Sequence, residues 1–143
     1  SREILRNSFS GSQMQEQKLK KLKVQSPDDR LLDKVMKVIN DNLGNPDLNV
    51  EMIATEVGIS RVHLHRKLKE LTNQSTRDLI RNVRLKQAAS LLANQYHNIT
   101  EVATLTGFTN IAYFSTAFKE LYGVPPTTYM EEQQKSSSDE IKQ

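Results

Sequence analysis

Between positions 61 and 69 the chain carries Arg61, His63, His65, Arg66, Lys67 and Lys69, six side chains that offer positive charge or ring N–H groups. Their chemistry is hydrogen bonding to anions and polar edges, not the making of bonds. His63 and His65 suggest a metal pair at first, but a separation of two on a helix of 3.6 residues per turn turns them about 200° apart. No third ligand follows, and the one other histidine is His97. There is no cysteine, which excludes disulfides, thiol catalysis and cysteine-held metals. Neither of the glycine-rich phosphate loops, GxGxxG or GxxxxGK[ST], occurs. No acid, base and nucleophile cluster together, so an enzyme is the last reading, and no cofactor is expected.

The elements that must hold those donors fit one ordinary domain of a 143-residue chain. No apolar run is long enough to span a membrane, and the first residues lack the apolar stretch of a secretory signal. A cytoplasmic setting follows as the expectation. The net charge of +3 hides strong segregation. Residues 1–27 carry +4, 28–56 carry −4, 57–86 carry +6 and 87–143 carry −3. A +6 block inside a folded region is a candidate footprint for a polyanion.

Residues 1–27 read as a basic, flexible linker and 131–143 as a disordered tail, which leaves the fold in 28–130. Ser26-Pro27-Asp28-Asp29 suits a helix start, and Leu31, Leu32, Val35, Ile39 and Leu43 give it an apolar stripe before Gly44-Asn45-Pro46. A short helix capped by Asn49 carries Val50, Ile53, Ala54 and Val57 at helical spacing. After Gly58 and the cap Ser60, a helix from Arg61 to about Leu71 turns Leu64, Leu68 and Leu71 inward. A longer one spans about 76–93. Another short helix starts after Asn98, breaks at Gly107-Phe108-Thr109, and is followed by a helix to Tyr122. Pro125-Pro126 open a last short helix containing Tyr129. No strand is credible, so the fold class is all-α with about seven helices.

Residues 49–60, Asn-Val-Glu-Met-Ile-Ala-Thr-Glu-Val-Gly-Ile-Ser, recur at an offset of 49 as Asn-Ile-Thr-Glu-Val-Ala-Thr-Leu-Thr-Gly-Phe-Thr. Past the turn an offset of 50 aligns Leu64, Leu68 and Lys69-Glu70-Leu71 with Phe114, Phe118 and Lys119-Glu120-Leu121. One helix-turn-helix unit is therefore present twice, about 49–72 and 98–122, joined by the 76–93 helix. Ala54 and Ala103 suit a close helix crossing. Gly58 and Gly107 suit a reversal that needs positive φ, and Ser60 and Thr109 are the expected caps of the second helices. Ala-x-x-x-Gly-x-Ser/Thr is the signature of a helix-turn-helix that reads duplex DNA. The eighteen-residue linker helix is roughly 27 Å long at about 1.5 Å per residue. That length can carry two recognition helices near the ~34 Å repeat of a duplex.

These residues resemble the AraC/XylS family of bacterial transcription regulators over 28–130. The resemblance rests on Ala54-Thr-Glu-Val-Gly-Ile-Ser60, Arg84-Leu-Lys-Gln-Ala-Ala-Ser-Leu-Leu92 and Ile99-Thr-Glu-Val-Ala103. It rests above all on Gly107-Phe-Thr-Asn-Ile-Ala-Tyr-Phe-Ser-Thr-Ala-Phe-Lys119 with Tyr122-Gly-Val-Pro-Pro126 and Tyr129. Arg66-Lys-Leu-Lys-Glu-Leu-Thr72 is similar to the branch in which this domain is the C-terminal output module of hybrid two-component sensors. That branch implies a receiver domain before residue 1, histidine kinase activity elsewhere, an inner-membrane anchor in the longer protein, and RNA polymerase as a further partner. The family pattern turns Val62, His65 and Arg66 toward bases, with Arg66 suited to guanine and Val62 to a thymine methyl.

In the second unit the corresponding base-side positions are Ile111, Ala112, Ser115 and Thr116, where relatives commonly carry a basic residue in place of Thr116. Backbone contacts are expected from Ser60, Arg61 and Lys69 around the first unit and from Thr109 and Asn110 around the second. Arg81 and Arg84, on one helix face with Arg77, are expected to contact the backbone between them. The first unit should dominate discrimination and the second should position. The alternative reading is a protein-interaction module that keeps the architecture without DNA contact. RNA binding is disfavoured because Phe108, Phe114 and Phe118 sit at core spacing, which leaves no aromatic platform.

Overall fold

The computed structural model describes residues 25–94 and 96–142, so the linker expected over 1–27 lies almost wholly outside the described residues. Those residues form seven helices and no strand: α1 Pro27–Asp41, α2 Val50–Val57, α3 Arg61–Thr72, α4 Thr76–Ala93, α5 Ile99–Leu105, α6 Ile111–Tyr122 and α7 Pro126–Lys142. Local chemistry sets most of the boundaries. The Ser26 hydroxyl accepts from Asp29 N at 3.1 Å while the Asp29 carboxylate accepts from Ser26 N at 3.2 Å, a reciprocal cap with Pro27 in the first turn. Asn49 and Asn98 cap α2 and α5 by accepting from Met52 N and Glu101 N. Gly58 ends α2 at φ +85°, and Gly107 sits at φ +88° in the turn after α5.

The two units have separate cores that share only the linker helix. Val35, Ile39, Ile53, Ala54, Leu64 and Leu68 pack with Leu79 and Ile80 from the N-terminal part of α4. Val102, Ala103, Phe108, Phe114 and Phe118 pack with Leu85, Ala88, Ala89 and Leu92 from its C-terminal part. No helix of α1–α3 packs broadly on a helix of α5–α7; both sets lean on α4. Aromatic rings dominate the second core. The Phe118 ring centroid lies 5.4 Å from that of Tyr129, edge-on at 74°, and 4.7 Å from that of Tyr122, which ties the start of α7 to α6.

Two local expectations need correction. The cap of α6 is not Thr109 but Asn110, whose side chain accepts from Tyr113 N at 3.0 Å. One extra residue stands between Gly107 and its cap compared with Gly58 and Ser60, so Asn110 is the structural counterpart of Ser60. The last helix is also not short. α7 runs from Pro126 to Lys142, through the stretch expected as a disordered tail. Its Glu131-Glu-Gln-Gln-Lys135 run consists of good helix formers, and Tyr129 and Met130 anchor its first turns on the second core.

Candidate nucleic-acid interface

In α3 the sequence divides cleanly between inside and outside. Leu64 and Leu68 are fully buried, and Ser60 holds the first turn by accepting from His63 N at 3.1 Å. This leaves Arg61, Val62, His65, Arg66 and Lys69 on the open surface. Val62 is 74 % exposed, an apolar side chain displayed in the first turn, where helix-turn-helix proteins reach base edges. His65 and Arg66 follow it with no ion pair or side-chain hydrogen bond among the described residues, so their donors are free for a ligand. Arg61 lies 3.7 Å from Glu51, a loose exposed contact that costs little to exchange. Lys69 stands at the far end of α3, where its ammonium donates to Asn73 O at 3.4 Å. The neighbouring cation Lys67 is engaged with Asp28 of α1 at 3.2 Å and so is a weaker candidate.

In α6 the offset of 50 sets Ile111, Ala112, Ser115 and Thr116 against Arg61, Val62, His65 and Arg66. Ile111 is 43 % exposed, Ala112 and Thr116 are exposed, and Ser115 is half-buried. The Thr116 hydroxyl donates to Ala112 O at 3.0 Å, which still leaves its lone pairs outward. Asn110 spends its side-chain oxygen on the cap, and Thr109 beside it is exposed. This face therefore carries methyl groups and hydroxyls but no charge. Tyr113, the counterpart of His63, is 48 % exposed and adds an aromatic ring to this face beyond the residues the sequence suggests. The offset of 50 that aligns His63 with Tyr113 is the sequence signal for it.

A groove separates the two units. It is lined by Asn49 at the start of α2, Arg77 and Arg81 on α4, and Thr109, Asn110 and Tyr113 at the start of α6, among others, and none of its lining residues is acidic. Arg77 is exposed; Arg81 is half-buried with Asp78 at 3.5 Å. Arg84, expected to contact a backbone alongside them, belongs elsewhere. It is only 6 % exposed, and its guanidinium donates to Thr106 O at 3.1 Å and to Asn45 O at 2.9 Å. Burial pushes its pKa down from the usual arginine value, and carbonyl oxygens take the place of a carboxylate. It is a bridge within the protein rather than a surface donor. Among the described residues no cluster of histidine and acidic side chains is arranged to hold a metal ion, and no helix is long and apolar enough to cross a membrane.

This arrangement has known counterparts. A family model described as a helix-turn-helix domain matches residues 53–132. The chain is 35 % identical over 106 residues to a histidine kinase P4 of Formosa agariphila, covering 74 % of this chain and 8 % of that protein. It is 33 % identical over 101 residues to the Msm operon regulatory protein of Streptococcus mutans, covering 71 % of this chain and 36 % of that protein. Among solved structures, it is similar to the C-terminal domain of AraT, a response regulator from Geobacillus stearothermophilus. That similarity has a TM-score of 0.67 at 32 % identity, over 75 % of this chain and 86 % of that one. The chain thus spans a small part of the first two relatives and most of the third.

Proposed function

The chain belongs to the AraC/XylS-type helix-turn-helix family, and from that premise we propose that it binds duplex DNA sequence-specifically as the output domain of a two-component transcription regulator. α3 and α6 enter successive major grooves. The observation that carries this reading is the outer face of α3, where an exposed apolar side chain and two unengaged donors, Val62, His65 and Arg66, stand on a helix whose other face is locked in the core. Val62 suits a thymine methyl and Arg66 the O6 and N7 acceptors of guanine. Arg61, Lys69 and Arg81, with the hydroxyl of Ser60, contact phosphates around α3 and the groove, and Thr109 and Asn110 do so at α6.

Ile111, Ala112, Ser115 and Thr116 face the second groove and serve positioning more than discrimination, because no bidentate donor stands among them. The similarity to a histidine kinase and to the C-terminal domain of a response regulator supports a place in phosphorelay signalling. On this reading a receiver domain precedes residue 1 and kinase activity resides elsewhere in a longer, inner-membrane protein. The domain itself works in the cytoplasm beside RNA polymerase. The family is not one of enzymes, and this domain binds rather than catalyses.

The test is enrichment of binding sites from a random duplex library, followed by titration of the winner at two salt concentrations with wild type and Arg66→Ala. A defined motif is expected, with affinity that falls steeply with salt as counterions are released. Arg66→Ala should lose about 1–3 kcal/mol of preference at one guanine. No enrichment and a flat salt response would favour the interaction-module alternative.

A further inference from the structure

We propose that Arg84 is a positioning residue that fixes the relative placement of the two helix-turn-helix units, and thereby the spacing between half-sites that the protein accepts. The inference rests on the DNA-binding reading above. Arg84 stands on α4 at the boundary between the two cores, after Leu79 and Ile80 of the first and before Leu85 of the second. Its guanidinium reaches one carbonyl in each unit, Asn45 O in the loop before α2 and Thr106 O at the end of α5. The carbonyl groups at a helix end have no partner within the helix, so the second bond satisfies a group that would otherwise be orphaned.

Above the guanidinium the two units meet backbone to backbone. A methyl group on Gly107 would overlap the Arg84 guanidinium and stand 2.5 Å from Leu43 O, and one on Gly44 would stand 3.3 Å from Leu105 O. The loop over 43–45 and the turn over 105–107 therefore form a seam, with Arg84 as its clasp. Among the described helices, none of α1–α3 packs broadly on any of α5–α7. Without the clasp, the units are joined mainly through α4 and are free to rock about it.

Two rigidly linked modules gain affinity only where their spacing matches that of the sites. One inserted base pair moves the second half-site by about a tenth of a helical turn. The experiment uses the 143-residue chain as wild type, Arg84→Met and Arg84→Lys. Each is titrated against its enriched bipartite site, against the same site with one or two base pairs inserted or removed at the centre, and against the first half-site alone. Thermal melting is recorded in parallel.

Wild type should lose at least about tenfold per altered base pair. Arg84→Met should bind the half-site within about threefold of wild type while its affinities across spacings converge to within about threefold. Arg84→Lys, which keeps a charge and one bond, should fall between. A folded Arg84→Met with the sharp spacing profile of wild type overturns the inference, as does an equal loss on half-site and bipartite duplexes. If Arg84→Met does not fold, Arg84→Lys decides: a broadened profile supports the clasp and an unchanged one overturns it. A wild type that enriches no motif contradicts the DNA reading itself, and this inference with it.

Discussion

Gly58 and Gly107 occupy the same place in the repeated unit, with φ of +85° and +88°, yet they face different surroundings. An added methyl at Gly58 meets no heavy atom within 4 Å, whereas at Gly107 it collides with Arg84 and Leu43 O. Gly58→Ala should therefore cost only the backbone strain, about 1 kcal/mol. Gly107→Ala adds overlap at a packed seam and should cost about 3 kcal/mol or more. Paired denaturant titrations check this, and equal losses would show that the seam contributes nothing at Gly107. The need for positive φ was legible from Gly-x-Ser and the recurrence of the motif. The second demand on Gly107 was not, because Arg84 reaches it from 23 positions earlier in the sequence. Helix periodicity correctly set Arg77, Arg81 and Arg84 on one face. It could not say that two loops from different units close over the third of them.

Among the elements, helix starts were the most legible feature, since Ser26, Asn49, Ser60 and Asn98 each cap the helix their side chains announced. Thr109 failed because the turn before α6 is one residue longer than the turn before α3, and an offset of 49 carried one residue too far names the wrong cap. Asn110→Ala should destabilise the protein by about 1 kcal/mol through loss of the bond from Tyr113 N. Thr109→Ala should stay within about 0.5 kcal/mol. Thermal melts of the two variants decide the matter, and a larger loss at Thr109 would restore it as the cap. The recognition helices differ in kind rather than in fold. Alanines at Val62, His65 and Arg66 should abolish discrimination between enriched and random duplexes. Alanines at Ile111, Ser115 and Thr116 should weaken both together. Competition binding with the two variants distinguishes these outcomes, and greater loss of discrimination from α6 would reverse the assignment. The length of α7 was hidden by its composition, for a polar run of helix formers reads alike as a tail or as a helix carried on from an anchored first turn.

At the scale of the whole molecule, the repeat in the sequence became two small cores hung on one helix, with basic side chains on the surfaces of α3 and α4 and neutral ones at Ile111, Ala112, Ser115 and Thr116 of α6. Duplication was legible because each copy repeats its cap, alanine and glycine. How the copies sit against each other was not, since that depends on backbone contacts at Gly44 and Gly107 and on one buried guanidinium. On the proposed reading, a single chain spans two successive major grooves of the duplex. Hydroxyl-radical footprinting of the protein on its enriched duplex tests this most directly. Two protected stretches on one face, about one helical turn of 10 base pairs apart, with the stretch over the α3 half-site surviving alanine substitution of α6, are the expected result. A single protected stretch that is unchanged when α6 is altered would contradict it.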